Sequence, residues 1–293
     1  ALLPLGTDFD QRGTPFARSA FGIVDIGAYE TQTLVVDTNT DIDNGDYSAG
    51  NLSLREAIRL ANAIPGAGTI YITFGNGSAA GGTNFTDTTV DTITLGGTEL
   101  AITGAVTITG SGANLLTIDA NNQSRIFNID DSTATQISVS IDGLTLTGGN
   151  ATGSGELATL GGAIFTREEL TVSNSTISGN NAAGRGGGIS NYGTATVSNS
   201  TISGNSAAFA GGIQNIEASL SLTNSTISGN TGPFGSAGIT ISGGTATVIN
   251  STITGNVGAA GMNVRAGPSS RCQIRLSLVT QTHPPHPKTL SET

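Results

Sequence analysis

Residues 171–180 read TVSNSTISGN, and the same sentence returns as TVSNSTISGN at 196–205, SLTNSTISGN at 221–230 and TVINSTITGN at 247–256. The Asn that opens each NST stands at Asn174, Asn199, Asn224 and Asn250, so the steps are 25, 25 and 26 (199 − 174, 224 − 199, 250 − 224). A period this steady is the signature of a solenoid. Each unit begins with a Gly-rich run carrying one Ile (GGGIS, GGIQN, SAGIT), continues with a short alternating run and closes on the NST sentence. The runs are β-branched, lack helical spacing and are bounded by Gly and Asn, which predicts short strands joined by turns. At roughly 3.3 Å per strand residue, one unit is long enough to wrap once around a three-sided coil.

Stacking such units aligns like with like. Ile177, Ile202, Ile227 and Ile253 are expected to form one inward file, Val172, Val197, Leu222 and Val248 a second, and Ile189, Ile213 and Ile239 a third on the Gly-rich wall. Each unit then buries its apolar side only against its neighbours. Two Asn files follow, Asn174/199/224/250 and Asn180/205/230/256. Asn tolerates the left-handed backbone of a tight turn, and stacked amides can bond from unit to unit, so both files are first of all structural.

The GGGI…NSTISGN pattern resembles the right-handed parallel β-helix proteins related to polymorphic outer-membrane proteins and bacterial surface adhesins, over roughly residues 90–264. The resemblance implies an all-β parallel β-helix, secreted or at the cell surface, that acts as a stalk or adhesive scaffold without catalysis. Two further segments carry resemblances. Ser53-Leu54-Arg55-Glu56-Ala57-Ile58 is similar to the Cys-Ser-Leu-Arg-Glu-Ala motif that precedes many such helices, with Leu52 where that motif has Cys. Residues 1–30, with Asp10-Gln11-Arg12-Gly13 and Asp25-Ile26-Gly27-Ala28-Tyr29-Glu30, resemble a choice-of-anchor segment, which normally closes a β-helix module. Here it comes first, which implies a preceding module, so further β-helix modules of the same parent chain are expected partners.

Composition agrees with a solenoid. Among 293 residues there are 43 Gly, no Trp and 11% charged residues. The formal net charge of −10, with Lys288 the only lysine, argues against nucleic acid or anionic membrane as partners, since both require clustered Lys and Arg. No apolar run is long enough to span a bilayer. Cys272 is the single cysteine, so no internal disulfide framework exists. Met262 is the only methionine and ALLPLGTDFD lacks signal-peptide features, which leads us to expect a piece of a longer protein.

Four regions result. Residues 1–30 form the end segment, and 31–68 an acidic linker with a capping helix. Residues 69–264 form the stack, and 265–293 a tail. In 51–64, NLSLREAIRLANAI, Ser53 and Glu56 make a capping box. Leu54, Ala57, Ile58 and Ala61 form one apolar stripe, and Pro65-Gly66 stops the helix. Such a helix covers the open interior of the first coil. From Thr69 strands follow at less regular spacing, with 75–88 and 148–160 as projecting loops suited to binding. The tail holds Arg265, Arg271, Arg275, Lys288, His283, His286 and Cys272. It is unlike the solenoid, with at most one strand at 274–279.

Candidate chemistry is sparse. Asp37, Asp41, Asp43 and Asp46 offer carboxylates from one loop, as calcium prefers, but Asn44 occupies the position where an EF-hand needs Gly; a solvated linker is the alternative. Polysaccharide cleavage needs paired carboxylates, and residues 171–264 hold only Glu217. The surviving pair is Asp119 and Asp142, whose offset of 23 (142 − 119) is near one coil and would stack them about 5 Å apart; both are equally readable as turn residues. Finally, Thr176/Ser178, Thr201/Ser203, Thr226/Ser228 and Thr252/Thr254 flank the inward Ile and face outward as a two-column hydroxyl ladder, continued by Thr107/Thr109 and Thr145/Thr147. Such ladders occur in ice-binding solenoids and also as ordinary strand surfaces. The NST triplets are formal glycosylation sequons that the turn itself explains. Glycans or other surface proteins are the expected ligands.

Overall fold

The computed structural model describes residues 19–20, 23–24, 32–64 and 68–265. Most of the end segment expected over 1–30, the Pro65-Gly66 stop, and the tail from 266 onward with Cys272, His283, His286 and the strand expected at 274–279 lie outside the described residues. The described chain is mostly β, with parallel sheets, an α-helix at Leu54–Asn62 and an antiparallel pair, Ser19–Ala20 with Ile23–Val24. The larger sheet is strongly curled, and the smaller has seven strands.

One repeat lays down four strands, Ile164–Thr166, Glu169–Ser173, Thr176–Ser178 and Asn181–Arg185, and each pairs in parallel with its equivalent in the next repeat. The expected three files are present: Ile177/202/227, Val172/197/Leu222/Val248 and Ile189/213/239 are buried, while Ile253 in the last repeat is partly buried. Burying each Ile or Val contributes about 1.5–3 kcal/mol. The fourth strand carries a minor cluster of its own, Ala151, Ala182 and Ala207.

The two Asn files divide the labour. Asn174, Asn199, Asn224 and Asn250 take φ of 49°, 49°, 51° and 49°, the left-handed turn that lets the chain change direction in one residue. Asn180, Asn205, Asn230 and Asn256 carry the ladder. Asn180 Nδ2 donates to Asn205 Oδ1 at 2.9 Å, Asn205 Nδ2 to Asn230 Oδ1 at 3.0 Å and Asn230 Nδ2 to Asn256 Oδ1 at 2.9 Å. The same oxygens accept backbone N–H groups of the preceding repeat. The Gly-rich run is explained by close approach: a Cβ on Gly187 would run into the carbonyls of Ser206 and Gly211 in the next repeat.

At the other end the helix stands over the first strands. Ser53 Oγ accepts from Glu56 N at 3.1 Å and Ser53 N donates to Glu56 Oε2 at 3.2 Å, the expected capping box. Leu54, Ala57, Ile58 and Ala61 are buried in the same core as the stack, so the stripe does cover its interior. Earlier repeats are longer: Val106 pairs with Val139 and Val139 with Leu170, intervals of 33 and 31 (139 − 106, 170 − 139), because loops are inserted at their corners. Within the expected 148–160 loop, Asn150–Ala151 is a strand paired to Asn181–Ala182, so the projecting part begins after Ala151.

Candidate functional site

The hydroxyl ladder lies on the seven-stranded sheet. Thr176, Thr201, Thr226 and Thr252 are in register, and the file extends backward through Thr145, Thr117 and Thr92, making seven threonines on consecutive strands. Beside it run Ser178, Ser203, Ser228 and Thr254, all half-buried, as the first file's Thr176 to Thr252 are. Thr147 continues on this sheet, whereas Thr107 and Thr109 do not: they pair with Tyr71, Thr73, Ser140 and Asp142 on the larger sheet. The expectation for these two is corrected, since a TxT pattern alone does not say which wall it occupies.

Asp119 and Asp142 are likewise on different sheets. Asp119 pairs with Thr94 and Thr147 in the second hydroxyl column and accepts a bond from Asn121 N at 2.7 Å. Asp142 pairs with Thr109 and Ser173 on the larger sheet, accepting from Ser173 Oγ at 2.6 Å and Asn174 Nδ2 at 2.7 Å beside an open depression of 740 Å³. They do not stack one repeat apart, because the true repeat here is longer than their offset.

The four loop aspartates are also not brought together. Asp37 accepts from Gly50 N and Leu52 N, and Asp41 makes a two-pronged pair with Arg55 at 2.8 Å and takes Gly96 N. Asp43 pairs with Arg59 at 3.0 Å. Asp46 binds Ser48, whose hydroxyl and amide hold its carboxyl below the usual range. The first two tie the loop to the helix and to the early strands. Among the described residues no group of three or more His, Cys, Asp or Glu is placed to hold a metal ion.

The chemically dense region is one that sequence spacing did not single out. On the wall of Ile164–Thr166, an outward file runs Ala101, Asn128, Phe165, Ser190, Gln214. Arg125, 5% exposed, bonds the carbonyls of Gly161 and Leu157, pairs with Glu99 at 3.4 Å and lies 5.1 Å from the Phe165 ring. Burial lowers its guanidinium from the ordinary arginine value, with Glu99 opposing. Arg167 lies over the same ring at 5.7 Å and pairs with Asp130 at 2.9 Å, while Tyr192 packs on Phe165 at 5.7 Å. Burial raises the Tyr192 hydroxyl.

Two cavities flank the Arg167–Asp130 pair. One, of 550 Å³, is lined by Glu99, Arg125, Asn128, Asp130 and Phe165; the other, of 490 Å³, by Asp130, Gln136, Arg167 and Tyr192. Within the first, Asn128 donates to Glu99 Oε1 at 2.7 Å, but its own Oδ1, like Ser124 Oγ, is buried without a partner. Glu168, at the back of the second, takes the amides of Asp131 and Ile137, and burial pushes its carboxyl up. The available signal was departure from the consensus: Phe165 interrupts a file that elsewhere carries Ala, Asn, Ser, Gln and Thr, and Tyr192 follows Asn191 as the one aromatic at that strand's end.

No family model matches the chain, and no curated protein or solved structure matches it.

Proposed function

We propose that this chain is a right-handed parallel β-helix of a secreted or cell-surface protein, similar to the polymorphic outer-membrane protein and bacterial adhesin type, and that it works as a stiff stalk or adhesive scaffold. The observation that carries this is the in-register stack from Thr92 to Thr252, with one apolar file behind it and a helix over one end. A surface made of small, uncharged, hydroxyl-bearing side chains suits weak, repeated contact with glycans or surface proteins. Every added repeat also moves the contact farther from the anchor.

The test is retention of the whole chain on immobilised polysaccharides and on intact cells, with released reducing ends and unsaturated sugars measured in the same wells. Binding without sugar release is the expected result. Turnover abolished by Asp119→Ala or Asp142→Ala would replace the scaffold with a lyase or hydrolase. X-ray diffraction checks the closure and hand of the winding.

One observation favours a second use. Seven threonines in one file, at roughly 4.8 Å between strands, offer the regular hydroxyl lattice that ice binding requires. Thermal hysteresis that disappears in Thr201→Leu supports this use; its absence in the unmodified chain ends it.

A further inference from the structure

The groove on the wall of Ile164–Thr166 has features that a purely structural wall does not need. It contains two buried polar atoms without partners, Ser124 Oγ and Asn128 Oδ1, and both residues line the same cavity. Leaving such an atom unbonded costs about 1–3 kcal/mol, so a rotation of either side chain that brings it to a ligand or solvent in the cavity is favoured. Four of its charges form opposite pairs, Arg125 with Glu99 and Arg167 with Asp130, and the remaining carboxylate, Glu168, is taken up by the amides of Asp131 and Ile137. A charged ligand therefore meets little net field, whereas a hydroxyl, which donates and accepts at once, finds both functions side by side. Tyr192 is half-buried and its ring leans on Phe165, so it adds an apolar surface fixed by packing. The two cavities, 550 and 490 Å³, fall in the range of small-ligand sites, about 300–1,000 Å³.

We infer that this groove is a binding site for a neutral oligosaccharide, with Asn128, the two guanidinium–carboxylate pairs and Tyr192 as its contacts. This rests on the adhesive reading and gives it a place and a ligand class. The ligand lies across successive strands, from the cavity of Asn128 to that of Tyr192, and covers about two strand spacings of roughly 4.8 Å. Neutral sugars are favoured over uronates because neither arginine is free of its carboxylate.

The test uses the whole chain in affinity electrophoresis through gels containing xylan, galactomannan or β-1,3-glucan, with polygalacturonate as the acidic counterpart. Retardation by at least one neutral polysaccharide is expected, weakened about tenfold or more in Asn128→Leu and in Tyr192→Ala. Ser221→Ala, on the larger sheet away from the groove, is expected to bind as the unmodified chain does. Thermal melts run on each variant establish that the stack is intact. Retention by a neutral polysaccharide that survives both Asn128→Leu and Tyr192→Ala overturns the groove while leaving the adhesive reading in place. A preference for polygalacturonate that salt abolishes overturns the neutral-ligand assignment. No retention on any polysaccharide, together with no binding to cells, overturns both.

Discussion

Residues 164–256 and residues 70–160 use the same strands for different ends. In the later region Leu170, Ala195, Leu220 and Ala246 follow one another at steps of 25, 25 and 26 (195 − 170, 220 − 195, 246 − 220), and each position repeats its chemistry. In the earlier region the same positions, Val106, Val139 and Leu170, stand farther apart and less evenly, and charges gather on the walls and loops. Arg125, Glu99 and Asp130 belong to that region, and the helix is bound to it through Arg55. Repetition gives the Asn files and the NST hydroxyls their partners in the next copy, with Ser190 Oγ the buried exception. Interruption leaves space, with Ser124 Oγ and Asn128 Oδ1 unpaired beside it.

The contrast can be broken by attacking the ladder. Asn205 serves the amide and the side chain of Asn180 at once and donates to Ile177 O. Asn205→Ala removes these three buried bonds at once and is expected to cost about 3 kcal/mol in urea unfolding. A loss below about 1 kcal/mol would mean that repetition is not what holds the later region. In the earlier region the equivalent attachment is Asp41, whose carboxylate is 4% exposed and paired with Arg55. Asp41→Ala is expected to cost about 2 kcal/mol and to raise hydrogen exchange in Leu54–Asn62 before the 164–256 strands respond. Simultaneous release of both regions would show that they unfold as one unit.

The smallest effect sharpens the contrast through pH. Glu168 is buried where the two regions meet, and desolvation first, then Asp131 and Asp130, pushes its carboxyl up, while the Ile137 and Asp131 amides oppose this. With the folded value above the unfolded 4.5, the folded state binds the proton more readily. The contribution is therefore most favourable below that unfolded value and declines as pH rises through the window up to the raised folded value. Glu168→Gln is expected to flatten stability against pH in that window, by less than about 1 kcal/mol; an unchanged slope would place the titration elsewhere.

Periodicity made the inward files, the Asn files and the capped helix legible, because each rests on residues that recur at a fixed step or on a local hydrogen-bond pattern. It misplaced Asp119 against Asp142, and Thr107/Thr109, for one reason. Those residues precede the regular step, and inserted corners change which strand faces which without changing the strands themselves. The groove escaped because Arg125, Phe165, Arg167 and Tyr192 share no spacing. They are exceptions to the repeat and meet only once the walls are laid side by side.

The Asn180/205/230/256 ladder has one more consequence. Its members are interchangeable: Asn205 meets from above and below the same groups that Asn230 meets. A nascent chain that skips one rung therefore forms nearly the same bonds, and the later repeats alone do not count themselves. The series ends at Gly149, which stands where a further Asn would and has no side-chain amide to donate, although Asn180 still bonds Leu146 O and Gly149 N as Asn205 bonds Ile177 O and Asn180 N. The irregular half thus acts as the origin of a ruler whose remaining marks are identical.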